Sequence, residues 1–243
     1  MSTPIWSPLT GRVMEPEDID DPSLDRDRLH GALGGLTTIN ALSRSAEILW
    51  APLRRLAREL KADRLRILDI ATGAGDVPRR LWRKAKRAGL ALEIHGVDVS
   101  EPVLEYARRN AEAAEAPLSF SRLNVLTEPL PEGYDVITSS LFLHHLPDEA
   151  ATSLLRSMAA AAGHLVLVND LRRSRWGLLL AHFAGRALTR SPVVRVDAVR
   201  SVRAAFTLAE VRKLAAAAGL KEFQLARRWP CRYLLSWQRP LRE

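Results

Sequence analysis

The sequence predicts an α/β fold, a seven-stranded and mostly parallel sheet flanked by helices. From residue 65 onward, short apolar runs of strand length alternate with stretches of helical periodicity. The first run, residues 65–70, leads through the turn Gly73-Ala74-Gly75 into a helical pattern, and a second run, residues 92–98, ends in an acid. Strand, glycine-rich turn and helix together present helix N-terminal amides to a ligand at the carboxyl end of the sheet.

The remaining elements follow from the same patterns. Further strands are expected at residues 118–124, 134–140, 165–168, 221–228 and 232–238. Two helices are expected between residues 24 and 60, broken near residues 43–45, and others at 100–110, 147–162, 171–190 and 207–219. Residues 192–204 are expected to be irregular and basic.

The chain is expected to form one domain with embedded lids. Residues 1–62 are predicted to be an N-terminal arm and lid helices, and residues 63–243 a core with inserted helices at about 171–204. The first 21 residues are Pro-rich and acidic, which favours a loosely ordered arm.

Composition narrows the class of protein. A hydrophobic content of 47% supports a substantial core. Cys231 is the single cysteine, which excludes a disulfide framework and a cysteine metal cluster. The sequence has no secretory signal pattern and no apolar stretch long enough for a membrane span, so a cytoplasmic protein is expected.

The charge of the chain is uneven. The net charge is +8, and residues 170–243 hold 16 Lys/Arg against 5 Asp/Glu. A basic surface could face nucleic acid, a membrane surface or an acidic substrate, or it could simply be solvated in an arginine-rich protein. No Lys/Arg run is interleaved with aromatic residues, so no nucleic-acid partner is expected.

The glycine turn does not fit a dinucleotide fold, because Pro78 stands where the third glycine would be. The string Asp69-Ile-Ala-Thr-Gly-Ala-Gly-Asp76 instead resembles the S-adenosylmethionine (SAM) motif of class I methyltransferases. It is especially similar to the ubiquinone/menaquinone-biosynthesis group and to small-molecule methyltransferases of secondary metabolism. The resemblance covers residues 65–168 well. It implies a Rossmann-like fold, SAM as the cofactor, and N-terminal and inserted helices that form a lid.

The resemblance also implies a set of cofactor contacts. Asp98 follows Gly73 by 25 residues, close to the spacing expected of an acid that accepts from ribose hydroxyls. Asn124 stands where relatives commonly carry an Asp that accepts from the adenine amino group. The full expected set is Asp69, Ala71, Thr72, Gly73, Gly75, Asp98, Val99, Asn124, Val125 and Ser140.

Candidate catalytic residues are His145, His144 and Asp170. Imidazoles after the fourth strand could take a proton from an acceptor hydroxyl, with His145 slightly favoured, or they could be structural. Asp170 could orient a histidine, hold a substrate hydroxyl or cap a helix. No metal is expected, because Thr138-Ser139-Ser140 replaces the acids that metal-dependent relatives carry.

Asn40 and Arg44 are candidates for the lid over the acceptor site, or they are surface polar residues of an amphipathic helix. His182 could line the acceptor site from the inserted helix, or it could lie in the core. The predicted function is SAM-dependent methyl transfer to a small, largely apolar hydroxylated acceptor of phenol, polyketide or quinol type, with O-methylation as the expected chemistry. The alternatives are a quinone-type C-methyltransferase, an RNA methyltransferase and a catalytically inactive partner protein. A monomer or homodimer is expected.

Overall fold

The computed structural model describes residues 9–21, 23–189 and 191–240. The first eight residues of the predicted N-terminal arm lie outside the described residues. So do the last residue of the helix expected at 171–190 and the final three residues of the predicted core.

The sheet has seven strands in the order β3-β2-β1-β4-β5-β7-β6. The strands are β1 Arg64–Ile70, β2 Ala91–Asp98, β3 Ser119–Arg122, β4 Tyr134–Ser140, β5 Ala162–Leu171, β6 Gln224–Arg228 and β7 Arg232–Gln238. Strands β1 to β5 pair in parallel, whereas β7 runs antiparallel to both β5 and β6. The predicted seven-stranded, mostly parallel sheet is therefore confirmed.

Eight α-helices flank the sheet among the described residues. They are α1 Arg26–Leu42, α2 Ser45–Glu59, α3 Asp76–Arg87, α4 Glu101–Glu112, α5 Asp148–Ala161, α6 Arg175–Leu188, α7 Pro192–Ala204 and α8 Leu208–Ala217. None of these helices has both the length and the apolar character needed to cross a membrane. Two large apolar clusters bury the central strands, one led by Leu68 and Val166 and the other by Ile67 and Leu167.

One expected element was wrong. Residues 192–204 form helix α7, not an irregular segment, because Ser191 caps the helix through the Val194 amide and Pro192 suits the first turn. The helix expected at residues 147–162 ends at Ala161, and Gly163 lies inside β5. A Cβ there would come within 3.1 Å of the Tyr134 carbonyl oxygen, so the glycine permits close strand approach.

Residues 9–21 are held in place rather than loosely ordered. The Asp197 carboxylate on α7 accepts from the backbone amides of Asp18 and Ile19, at 2.9 and 3.1 Å. The Arg12 guanidinium donates to the Ala204 carbonyl at 2.7 Å and bridges to other parts of the chain. These contacts fasten the acidic arm over the carboxyl edge of the sheet, where β1, β2, β4 and β5 end.

We predict that Gly75→Ala destabilises the fold more than Gly73→Ala. Both glycines have positive φ, 66° and 54°, so both substitutions carry backbone strain. A Cβ at Gly75 would also lie 2.9 Å from Phe120 Cζ, whereas a Cβ at Gly73 meets nothing within 4 Å. Overpacking should cost Gly75→Ala about 1–3 kcal/mol more in the free energy of unfolding, measured by urea denaturation. Equal losses for the two variants would contradict this packing role.

Candidate active site

A large cavity of about 1180 Å³ opens at the carboxyl edge of the sheet. Its walls come from the arm, α1, the loop after β1, the segment after β4, and helices α6 and α7. The lining surface is mainly apolar, but charged and polar side chains from several elements interrupt it. Such a cavity suits a small molecule with an apolar body and a few groups that need polar partners.

Asp69, near the end of β1, holds the glycine loop in place through its carboxylate. Its carboxylate accepts from the Thr72 hydroxyl at 2.8 Å and from the Thr138 hydroxyl at 2.6 Å, which ties the loop to both β1 and β4. Burial raises the pKa of Asp69 to about 6, although the two hydroxyls partly offset this. The hydrogen-bonding capacity of Asp69 is thus largely used in shaping the loop.

Asp98, at the end of β2, also contacts the glycine loop. One carboxylate oxygen accepts from the Gly73 amide at 3.0 Å and the other from the Ser100 amide at 3.1 Å. Burial raises the pKa of Asp98, against the effect of these amides. Each oxygen still has a lone pair for a ligand hydroxyl. The open space beside Gly73 lets a ligand approach the backbone here, so the residues fit a nucleoside-bearing cofactor.

Asn124 lies in a turn that follows the short strand β3. The Asn124 side-chain oxygen accepts from the Leu126 backbone amide at 3.1 Å, and the Asn124 backbone amide donates to the Glu128 carboxylate at 2.8 Å. This local turn explains why β3 ends at Arg122, before the predicted end at Asn124. Asn124 and Val125 both remain at the cavity wall.

His144 and Asp170 form a buried pair where the segment after β4 meets the end of β5. His144 Nδ1 lies 2.7 Å from the Asp170 carboxylate, which also accepts from the His144 amide at 3.1 Å. Burial alone would lower the pKa of His144, but Asp170 and then Glu17 raise it to about 10. Burial would likewise raise the pKa of Asp170, but His144 lowers it. His144 is therefore an imidazolium near neutral pH.

Glu17, from the arm, reaches both imidazoles. Its Oε1 atom lies 3.7 Å from His144 Nε2 and 3.8 Å from His145 Nε2. An oxygen atom can thus sit within reach of both rings. The three side chains also place donor atoms within 4.8 Å of one another, a grouping that could accommodate a metal ion. The expectation of no metal stays a prediction.

Most of the predicted site residues meet at this cavity. Those at its wall are Asn40, Asp69, Ala71, Thr72, Gly73, Asp98, Val99, Asn124, Val125, Ser140, His144 and His145. The Ser140 hydroxyl is buried and has no hydrogen-bond partner among the described residues, so a polar ligand group would suit it.

Four predicted site residues do not line the cavity. Gly75 packs against Phe120, and Asp170 lies behind His144. Arg44 is exposed at the break between α1 and α2, where its backbone is left-handed with φ 57°. His182 faces Arg186 one turn along α6, and its Nδ1 lies 2.8 Å from that guanidinium.

Sequence reasoning missed several charged residues at the cavity wall, among them Glu17, Asp76 and Arg232. Glu17 belongs to a segment expected to be loosely ordered. Asp76, which stands in the quoted motif, was not assigned a role. Arg232 begins β7, and its distance along the chain from every other site residue gave no signal.

We predict that the His144–Asp170 pair makes stability depend on pH. A raised histidine pKa contributes stability in full below about pH 6.5, and that contribution is lost as the pH rises through about 10. Because the pKa of Asp170 is lowered, its carboxylate contributes stability above pH 3.8, the ordinary pKa of an Asp. That stability is lost as the pH falls through the lower pKa of the folded state. His144→Gln should therefore flatten the fall in Tm between about pH 6.5 and 10. His164→Gln, on the far part of β5, is the control, and a parallel loss of Tm in wild type and His144→Gln would contradict the pairing.

Comparison with known proteins agrees with this geometry. Residues 67–163 match the family model described as "Methyltransferase domain". A demethylmenaquinone methyltransferase from Thermus thermophilus is 35% identical over 131 residues, which are 52% of this chain and 56% of that protein. A ubiquinone biosynthesis O-methyltransferase from Hydrogenovibrio crunogenus is 30% identical over 120 residues, 49% of this chain and 47% of that protein. The chain spans about half the length of these two curated relatives.

Solved structures share the fold at low sequence identity. A putative O-methyltransferase from Nostoc punctiforme superposes with a TM-score of 0.63 at 21% identity, covering 94% of this chain and 64% of that one. The magnesium protoporphyrin IX methyltransferase from Synechocystis with bound SAH, the demethylated product of SAM, gives 0.58 at 18% identity, covering 84% and 86%. Residues 67–163 therefore form a methyltransferase domain, and the chain has the Rossmann-like class I architecture of SAM-dependent methyltransferases.

Proposed function

We propose that the chain transfers a methyl group from SAM to a hydroxyl oxygen of a small, largely apolar acceptor of phenol, polyketide or quinol type. The observation that carries this proposal is the pair of imidazoles, one anchored by buried Asp170, in the same apolar cavity as the glycine loop and Asp98. One end of the cavity offers partners for a nucleoside, and the other offers groups that can handle a proton.

The cofactor end would be held by the residues around the loop. Asp98 would accept from the ribose hydroxyls, and the turn at Asn124 and Val125 would meet the adenine ring. The open backbone at Gly73 would allow close approach, with Ser140 near the reacting end. When bound, SAM supplies an electrophilic methyl group on a sulfonium. The protein has mainly to align the acceptor oxygen, so positioning supplies much of the acceleration.

The acceptor end would manage the hydroxyl proton. Phenols ionise near pH ~10, so deprotonation at neutral pH needs help. In this proposal His145 takes the proton, and the His144 imidazolium, held by Asp170, stabilises the resulting oxyanion. The position of the Glu17 oxygen supports this division, because an acceptor oxygen at that point would lie within reach of both rings. Glu17 would have to give way to the acceptor.

A second candidate is methylation of a ring carbon in a quinol-type acceptor. The similarity to a demethylmenaquinone methyltransferase supports it, and the same imidazoles could ionise a hydroxyl beside the reacting carbon. Mass spectrometry of the product, with fragmentation to locate the new methyl group, separates the two. An apolar cavity favours either of these over transfer to RNA.

We expect Asp98→Ala to weaken binding of SAH by about 2–3 kcal/mol, because charge-assisted hydrogen bonds to the ribose are lost. Asp98→Asn should cost less, since the amide oxygen still accepts one hydrogen bond. Titration calorimetry measures both, and Asp63→Ala, an exposed acid before β1, controls for the change in net charge. Unchanged affinity in Asp98→Ala would move the ribose elsewhere, and no binding to wild type would reject SAM as the cofactor.

The imidazoles are tested by turnover with a phenolic acceptor. His145→Ala should lose ~10²-fold or more in rate, and raising the pH should partly restore it by ionising the acceptor directly. His144→Gln should lose about 10²–10³-fold, the usual effect of removing an oxyanion donor, without weakening SAH binding. His164→Gln should behave as wild type. Wild-type rates for both His144 and His145 variants across pH 6–9, roughly the imidazole range, would make the pair structural.

A further inference from the structure

Arg232 is a buried guanidinium whose hydrogen-bond partners in the described part of the chain carry no charge. It begins β7 at the cavity wall, and only 2% of its surface is exposed. The side chain donates to the Ser45 hydroxyl at 2.5 Å and, more weakly, to the Asn40 side-chain oxygen at 3.4 Å. Both partners are neutral. Within residues 9–21, 23–189 and 191–240, no carboxylate forms an ion pair with it.

This arrangement is costly unless a ligand completes it. Burying an unpaired charge carries a large desolvation penalty, and a guanidinium has five N–H donors to satisfy. Arg173, a buried arginine nearby in the fold, shows the usual solution: it pairs with Glu210 at 2.6 Å and donates to the Ala205 carbonyl. For Arg232, burial lowers the pKa to about 10 despite attraction from Asp170 and Asp76.

Those two acids do not complete the Arg232 site. Asp170 is committed to His144 at 2.7 Å, and Asp76 receives the Asn40 amide at 3.5 Å. They act on Arg232 only from a distance. The guanidinium therefore keeps donors in a cavity where a second molecule must bind.

The position of Arg232 narrows the ligand group that it can meet. Across the β5–β7 pairing, Arg232 lies opposite Leu171, next to the Asp170 that anchors His144. Asn40, which accepts from Arg232, also donates to Asp76 of the glycine motif at 3.5 Å. Asp98, the proposed ribose partner, is on β2, three strands further along the sheet from β5. Arg232 is therefore placed to meet a ligand group other than the nucleoside.

We propose that Arg232, held by Asn40 and Ser45, binds an anionic oxygen of the acceptor, so that the substrate is an apolar acid and not a neutral phenol. A carboxylate is the expected group, because a guanidinium fork matches it bidentately. This inference rests on the proposed function and narrows it to aromatic or polyketide acids that also carry the reacting hydroxyl. The anchored acid would set which hydroxyl faces the imidazoles.

The test compares two probes that differ only by the acid group: 2,4-dihydroxy-6-pentylbenzoic acid and 5-pentylresorcinol. Calorimetry measures the affinity of the full chain for each probe with SAH present, and for SAH alone. The variants are Arg232→Met and Arg232→Lys. Arg227→Met, an exposed arginine on β6 outside the cavity, is the matched control for loss of one positive charge.

Wild type should bind the acid roughly tenfold or more tightly than the resorcinol, the scale of one charge-assisted hydrogen bond. The ratio should fall close to one in Arg232→Met, remain partly in Arg232→Lys and be unchanged in Arg227→Met. SAH affinity should be unaffected in all of them. Ligand-free Arg232→Met should melt at or above the wild-type Tm, because it removes an uncompensated buried charge. Arg173→Met should melt lower, because it leaves Glu210 unpaired.

Three results would overturn the inference. These are equal affinity of wild type for the two probes, binding of neither probe while SAH binds normally, and an Arg232→Met variant that weakens SAH but keeps the probe ratio. The last result would assign Arg232 to the carboxylate of the cofactor. If Arg232→Met fails to fold, Arg232→Lys takes its place: the ratio of its affinities for the two probes and its affinity for SAH test the inference. Failure of SAH to bind wild type would instead reject the proposed function itself.

Discussion

The buried contact between Asp170 and His144 is the interaction on which the acceptor half of the site depends. It joins the end of β5 to the segment that follows β4, and through Glu17 it also reaches the N-terminal arm. Because both partners are out of water, each needs the other: a lone buried carboxylate or imidazolium would carry an uncompensated desolvation penalty. The same pairing fixes the ring orientation, which any chemistry at Nε2 requires.

The nucleoside half of the cavity uses carboxylates in a different way. Asp69 and Asp98 spend part of their hydrogen-bonding capacity on the loop itself, through Thr72 and the Gly73 amide. A loop rich in positive φ has backbone amides that regular structure does not satisfy, so side chains must hold them. The acids thereby preorganise the turn before any ligand arrives, which reduces the ordering that binding has to impose.

An apolar cavity with a few buried charges balances two demands. Apolar walls provide affinity for a hydrophobic acceptor, whereas charges that are incompletely paired discriminate between acceptors. Arg232 illustrates the second demand, because it places charge where stability alone would favour an apolar residue. The arm and helices α1, α6 and α7 close this region, and the arm is tied down by ion pairs such as Arg200 with Asp18.

The sequence by itself determined the fold class, the order of the strands and of the helices other than α7, and the glycine loop with Asp69 and Asp98. These follow from local patterns: apolar periodicity, turn residues, and spacing within one strand–turn–helix unit. Tertiary structure alone decided which charges meet. Glu17 meets His144 only because the arm packs over the sheet. Arg232 reaches Ser45 and Asn40 only because β7 packs beside the helices that carry them. Local patterns carry no information about such contacts, because packing between distant elements decides which side chains lose water and which partners they find there.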